Sequence, residues 1–410
     1  MLKVFNTLSR KKEGFRPLSG KKVGIYTCGP SVYQQPHIGN YRTYAFEDVF
    51  KRYLLWKGYS VRHVMNLTDV ENKAIAEARK EGKPLKSVTG HYAKIFFADV
   101  RRLNILPADV YPKATETIAE IARAVKELAR KGYAYEAGGD WFFDVSKFRK
   151  YGMLSRLRMR IPKGRRIAAD DYEKGEAGDF ILWRKWRKAD GNVSWNTPLG
   201  KGRPGWSIEC TAMARKFLGS RFDVKMGGVD NIFCHHENEI AQGWGLSGNV
   251  FAKYFVHVRH LLIGGRKMSK SLGNVVYLSD VEKRGFEPAA LRALYLTAHY
   301  RRRLDFTWAK LAKAQGQLDE CRGCVRKMKA ACGTRGGPSP GIEAAVSKAL
   351  ARFEAAMDDD LHSERALDEV CGLVGLALKR SRDGKLSRKD AEIVLSTLEG
   401  FDRVLGLGLF

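Results

Sequence analysis

Two periods of apolar residues take turns along the first hundred positions. Residues 23–27 (VGIYT) form a short apolar run of strand length, and Gly29-Pro30 stops it. After a loop, helical spacing runs from Tyr41 to about Lys57, and residues 61–65 read as a second strand. Helical spacing returns over 71–82 and 88–103. Strands alternating with helices predict a parallel sheet of the Rossmann type in an α/β fold. Ligands bind such sheets beyond the carboxyl ends of their strands. Cys28, His37 and Thr68 each follow a predicted strand, so one rim is expected to carry all three.

Further on, residues 115–131 make a strong amphipathic helix with Ile118, Ile121, Ala122, Val125 and Leu128 on its apolar face; Lys131-Gly132 stops it. Residues 140–145 (DWFFDV) read as a strand, whereas the basic stretch 150–190 shows no clear period. Residues 255–263 and 275–276 are strand-like and flank a basic loop. Beyond 305 the chain turns helical. Ile342, Ala345, Val346, Ala349, Leu350, Phe353 and Met357 form one stripe, and Leu367, Val370, Val374 and Leu378 another. Residues 333–340 read as a linker, and a helical bundle following the α/β fold is expected.

Composition narrows the class. Hydrophobic residues make up 44% of the chain, yet no apolar run approaches the roughly 18 residues that would span a membrane. The first residues, MLKVFNTLSRKKEG, lack a signal-peptide core, so a soluble cytoplasmic protein is expected. Net charge is +28, with basic clusters at 156–160, 163–166, 184–188 and 301–303. Such a surface suits a polyanion such as RNA, although a generally basic proteome gives the same bias. The seven cysteines are scattered. Cys321-x-x-Cys324 with Cys332 resembles part of a metal knot, but its surroundings look helical and offer no fourth ligand.

Two stretches carry the chemistry. In 24–43, GIYTCGPSVYQQPHIGNYRT, a strand and a Gly-Pro turn lead to a helix opening on His37-Ile38-Gly39-Asn40. A helix start favours anions, and Gly39 admits a ring or phosphate close to the backbone. Alone, this reads more readily as an ordinary turn with a surface histidine. In 266–274, RKMSKSLGN, two lysines and two serines suit a polyphosphate whose charge rises in a transition state; alone they read as a solvated loop. One further pair stands as geometry: His235 and Glu239, four apart in a helix-like run, leave one face, while His236 points about 100° away.

Together these stretches resemble the HIGH and KMSKS signatures of class I aminoacyl-tRNA synthetases. CGPSVY (28–33), NLTDVENK (66–73), KGRPGWSIECTAM (201–213) and HHENEIAQ (235–242) narrow the resemblance to the cysteinyl-tRNA synthetase family. It runs from about Phe5 to the end, broken only in the middle. It implies a catalytic domain over 1–305 with a connective insertion at about 130–200, its middle (156–178) matching poorly. A tRNA-binding helical bundle over 306–410 follows, without the family's extra anticodon-reading domain. It implies one zinc ion on Cys28, Cys210, His235 and Glu239, with Cys234 structural. It implies ATP with magnesium near His37, Gly39 and Asn40, with Lys267 and Lys270 stabilising pyrophosphate. Thr68, Trp206 and Asp230 would line the amino-acid pocket, Asp230 for the substrate ammonium. The implied reaction forms cysteinyl-adenylate from L-cysteine and ATP and passes cysteine to the terminal adenosine of tRNA(Cys), with a monomeric enzyme. The zinc would select the cysteine thiolate over a serine hydroxyl. A paralogous ligase handing cysteine to a small amine, as in mycothiol synthesis, is the alternative, as is a non-catalytic RNA-binding protein. The chain departs from the family at Asn40, Ser207, Lys225 and Met226, the first three replacing histidines and the last a glycine.

Overall fold

The computed structural model describes residues 1–158, 161–162, 164–269, 272–330 and 339–410. Its central sheet has four parallel strands in the order Ala252–Val258, Phe222–Gly228, Lys22–Thr27, Ser60–Met65. The expected strands at 23–27 and 61–65 are both there. Val224, Met226, Ile25 and Met65 face one core with the helix Ile38–Trp56. Tyr26 and Val64 face a second core that includes Cys28 and Cys210. Residues alternate sides along a strand, so Lys225 falls on the second face, level with Tyr26.

The stretch 255–263 is not one strand. It divides into Ala252–Val258 in the central sheet and Leu261–Ile263, which runs parallel to Leu304–Phe306 in a small sheet. The cause is the buried Arg42, whose guanidinium donates to the carbonyls of Arg259 at 2.9 Å and His260 at 2.6 Å. Residues 275–276 form no strand either; the Val276 carbonyl accepts from Ile38 N–H at 3.0 Å and fixes the start of the motif helix.

The region 130–200 folds around a sheet whose antiparallel path is Ala134–Ala137, Asp140–Phe143, Asp179–Lys185, Gly200–Pro204, Trp195–Thr197, with Arg166–Ile167 pairing parallel to Asp179–Lys185 off that path. The strand Asp179–Lys185 lies in the stretch that shows no period in sequence. Six of its seven residues are buried, so both faces are covered and alternation is lost. Among the described residues, four helices follow the α/β fold: Trp308–Ala330, Pro340–Asp358, Ser363–Arg382 and Arg388–Leu405. Of the first stripe, Ile342, Val346, Ala349, Phe353 and Met357 are buried, but Leu350 is 40% exposed. Phe353 stacks on Phe401 with centroids 4.0 Å apart. Cys321 and Cys324 are buried in the first of these helices, and among the described residues no metal-ligating group includes them. Cys332 and most of the expected linker, 333–338, lie outside the described residues. No described helix is long and apolar enough to cross a membrane.

His63, buried on Ser60–Met65 with Nε2 3.0 Å from Thr27 Oγ1, makes the fold acid-sensitive. Burial, then the charge of Lys51, drive its pKa down to about 3. The unfolded chain takes up this proton near pH 6.5, while the folded chain resists it until about pH 3. Its stabilising effect is therefore complete above pH 6.5 and fades as pH falls toward 3, at about 1.4 kcal/mol per pH unit. In urea titrations at pH 7 and pH 5, His63→Gln is expected to lose less stability between the two than the parent. Equal losses would show that His63 does not carry the effect.

Candidate active site and metal centre

A cavity of about 480 Å³ opens beyond the carboxyl ends of the central strands. Cys28, His37, Gly39, Asn40, Thr68, Trp206, Cys210, Asp230, His235 and Lys267 all line it. Glu239 lies behind its wall, fully buried. Lys270 lies outside the described residues.

The helix Ile38–Trp56 and its cap build part of the wall. His37 is its N-cap: Nδ1 accepts from Gly39 N–H at 3.1 Å and Asn40 N–H at 3.3 Å. The Asn40 side chain accepts from His37 N–H at 3.0 Å, closing a reciprocal cap. Asparagine can therefore stand where the family carries histidine, because its oxygen locks the turn. With Nδ1 committed as acceptor, the neutral ring carries its proton on Nε2. Burial lowers the His37 pKa and favours that neutral form. Gly39 keeps this approach open: a Cβ would lie 2.6 Å from Met268 Cε of the lysine-rich loop and 3.0 Å from the His37 ring, so the Met268 side chain would have to shift. Lys267 Nζ, from the same loop, donates to Asp230 Oδ1 at 2.8 Å, and His260 Nε2 is 2.9 Å from that oxygen. Burial opposes the charge on Asp230, but His260 and Lys267 outweigh it and hold its carboxyl at about 2.

Cys28, Cys210, His235 and Glu239 offer ligand atoms within 4.8 Å of one another, all buried. Three segments supply them: the end of Lys22–Thr27, the helix Trp206–Leu218, and the turn into Glu237–Ser247. His235 Nε2 is 3.0 Å from Glu239 Oε1, as the four-residue spacing requires. His235 Nδ1 is buried without a hydrogen-bond partner, an expensive condition for a ring held only by protein. Two thiols, an imidazole and a carboxylate are the donor set of a zinc site, so the residues fit that ion. Trp206 stacks on His235, centroids 4.0 Å apart, and fixes its ring.

His236 is not one of these four residues but borders the group. Phe233 departs from helical geometry (φ −131°, ψ 132°), so the run before Glu237 is not a regular helix. His236 Nε2 reaches 3.2 Å from Cys28 Sγ, and its Nδ1 lies 2.8 Å from His257 Nε2. Lys225 was legible only as a departure, yet its ammonium sits among the ligands. Thr68 is buried, with Oγ1 accepting from Asn66 Nδ2 at 3.1 Å. Ser207 Oγ is 3.4 Å from Asn238 Nδ2, and Tyr172 of the poorly matching segment donates to Asn238 Oδ1 at 3.1 Å. Cys234 Sγ donates to the Asp170 carbonyl at 3.7 Å and ties that segment to the rim. Asp170 and Asp171 therefore line the cavity, which their aperiodic surroundings gave no signal to predict.

Residues 14–316 match the family described as tRNA synthetases class I (C) catalytic domain. The chain is 42% identical to the cysteine–tRNA ligase of Chlamydia muridarum, over 98% of this chain and 87% of the relative. It is 38% identical to that of Protochlamydia amoebophila, over 100% and 86%. Among solved structures, Mycobacterium tuberculosis methionyl-tRNA synthetase bound by methionyl-adenylate aligns with a TM-score of 0.64 at 16% identity. That alignment covers 94% of this chain and 90% of the other, and shows a shared fold.

Proposed function

The chain belongs to the cysteine–tRNA ligase family of class I synthetases, and from that premise we propose how its cavity divides the work. It activates cysteine with ATP and charges tRNA(Cys). One observation supports the division: a single cavity is lined both by signature-motif residues and by Cys28, Cys210 and His235, with Glu239 buried within ligand distance of these three.

At the motif end, His37 Nε2 is the ring's remaining donor and would meet the triphosphate, with Gly39 and Asn40 beside ribose and adenine. Lys267, with Lys270, would stabilise the leaving pyrophosphate, and magnesium would accompany ATP. Both described contacts on Asp230 fall on Oδ1. Its Oδ2 would take the substrate ammonium, so amino-acid binding and release of Lys267 toward phosphate draw on one carboxylate. Thr68 and Trp206 would complete the amino-acid pocket.

Cys28, Cys210, His235 and Glu239 would hold one zinc ion. When bound, zinc supplies a soft Lewis acid that prefers a thiolate to a hydroxyl. A contact of that kind could account for roughly 5–7 kcal/mol of discrimination against serine, about 10⁴–10⁵-fold, without an editing site. The helices after residue 305 and the basic surface would bind tRNA, with the enzyme acting as a cytoplasmic monomer.

The test is charging of purified tRNA(Cys) with labelled cysteine, run beside ATP–pyrophosphate exchange. Both activities are expected, with serine supporting exchange at least about 10³-fold less well than cysteine. Exchange without charging would replace tRNA with a small amine acceptor. Absence of both would overturn the catalytic reading.

A further inference from the structure

Lys225 is fully buried at the middle of the strand Phe222–Gly228. A lysine with no exposed surface is costly unless an anion meets it. Its Nζ lies 2.8 Å from Glu239 Oε2, donates to Cys28 Sγ at 3.2 Å, and sits 4.3 Å from the centroid of the Tyr26 ring. The Glu239 contact is an ion pair by distance, without the alignment of a hydrogen bond, so Oε2 has a counter-charge but no directed donor. The two oxygens of Glu239 are thereby divided: Oε1 faces His235 and Cys28, Oε2 faces Lys225.

Charge counting gives this arrangement a purpose. Two thiolates and a carboxylate outweigh a dication by one negative charge, and a substrate thiolate would add another. The excess would sit in a buried, low-dielectric pocket, where repulsion weakens substrate binding. Glu47 is buried with neither oxygen hydrogen-bonded, and its burial raises its pKa. The histidine that the family carries at this position is a neutral ring when unprotonated, whereas lysine is a standing cation.

We propose that Lys225 is a positioning residue for the substrate thiolate: its charge offsets the anion that cysteine would bring to the candidate metal group, while it holds Glu239 Oε2 and leaves Oε1 facing His235 and Cys28. The proposal rests on the metal reading above.

The experiment uses the whole protein loaded with cobalt(II) in place of zinc, because sulfur–cobalt charge-transfer absorption reports thiolate binding without turnover. Cysteine is titrated into the parent, Lys225→Met and Lys225→Gln. Both variants are expected to melt cooperatively and take up one cobalt per chain. Both should bind cysteine at least about tenfold more weakly, with the KM for ATP within about twofold of the parent. Gln keeps a hydrogen-bond donor without the charge, so Gln behaving like the parent would overturn the charge argument. Unchanged cysteine affinity in both variants would overturn the proposal alone. Loss of cobalt from both folded variants would also overturn it, since Lys225 would then build the site rather than serve its ligand. A parent protein that takes up no cobalt would instead overturn the metal reading, and this proposal with it.

Discussion

Arg292→Met is expected to cost about 3–5 kcal/mol of folding stability while leaving the cavity residues untouched. Arg292 lies on the helix Pro288–Leu296 with no exposed surface. Nη2 pairs with Asp48 Oδ2 at 2.5 Å, Nε donates to the Leu405 carbonyl at 2.7 Å, and Nη1 donates to the carbonyls of Leu103 and Asn104, each at 3.1 Å. One guanidinium thus joins the motif helix, the end of the Leu85–Arg102 helix and the last helix of the chain. Methionine fills much of the volume but returns none of these bonds. Asp48 keeps Arg52 Nε at 2.7 Å, which limits the penalty on its carboxylate. The Leu405 and Leu103 carbonyls have no such substitute, and an unpaired buried polar group costs roughly 1–3 kcal/mol. Equilibrium urea unfolding measures the loss. Arg292→Lys should fall between parent and methionine, because it restores charge without the planar fork. A loss below about 1 kcal/mol for Arg292→Met would show that the three segments are held by apolar packing alone.

Arg292 also shows what the sequence conceals. The parallel sheet was legible because 23–27 and 61–65 are apolar, short and bounded by turn residues. The bundle was legible because Ile342, Val346, Phe353 and Met357 keep helical spacing. Buried charge breaks that logic. Phe222–Gly228 carries a lysine at its centre and two glycines at its end, so it lacks the look of a core strand; its lysine is buried because Glu239 and Cys28 arrive from elsewhere. Arg42 likewise divides 255–263 by claiming two carbonyls from a helix more than two hundred residues away. The site divides in the same manner. His37-Ile38-Gly39-Asn40 is a local cap and can be read locally. The metal group joins three segments, and only the sheet order brings Cys28 beside Cys210. The family resemblance supplied that grouping, and local spacing contributed His235 with Glu239 alone. Local spacing also set His236 apart from His235; it stands outside the ligand group, although its Nε2 comes to 3.2 Å from Cys28 Sγ.

Cys210→Ser is expected to remove the bound metal and lower cysteine-dependent ATP–pyrophosphate exchange by at least about 10³-fold. Cys210 is 1% exposed on the helix Trp206–Leu218, beside Cys28. A buried serine has nearly the same size but does not ionise there, so the ligand group loses an anion without losing its packing. A metal that binds only the folded chain also stabilises it, by about 2.7 kcal/mol at a hundredfold excess over its dissociation constant. The variant should therefore melt earlier than the zinc-loaded parent and close to the chelator-stripped parent. Zinc added back should restore exchange to the stripped parent and not to Cys210→Ser. Because His37 and Lys267 are not among the four ligand residues, ATP binding should survive in both proteins, which separates loss of the metal from loss of the fold. Near-parental exchange by a metal-free Cys210→Ser protein would mean that the apolar and polar walls, Trp206 and Thr68 among them, recognise the thiol unaided.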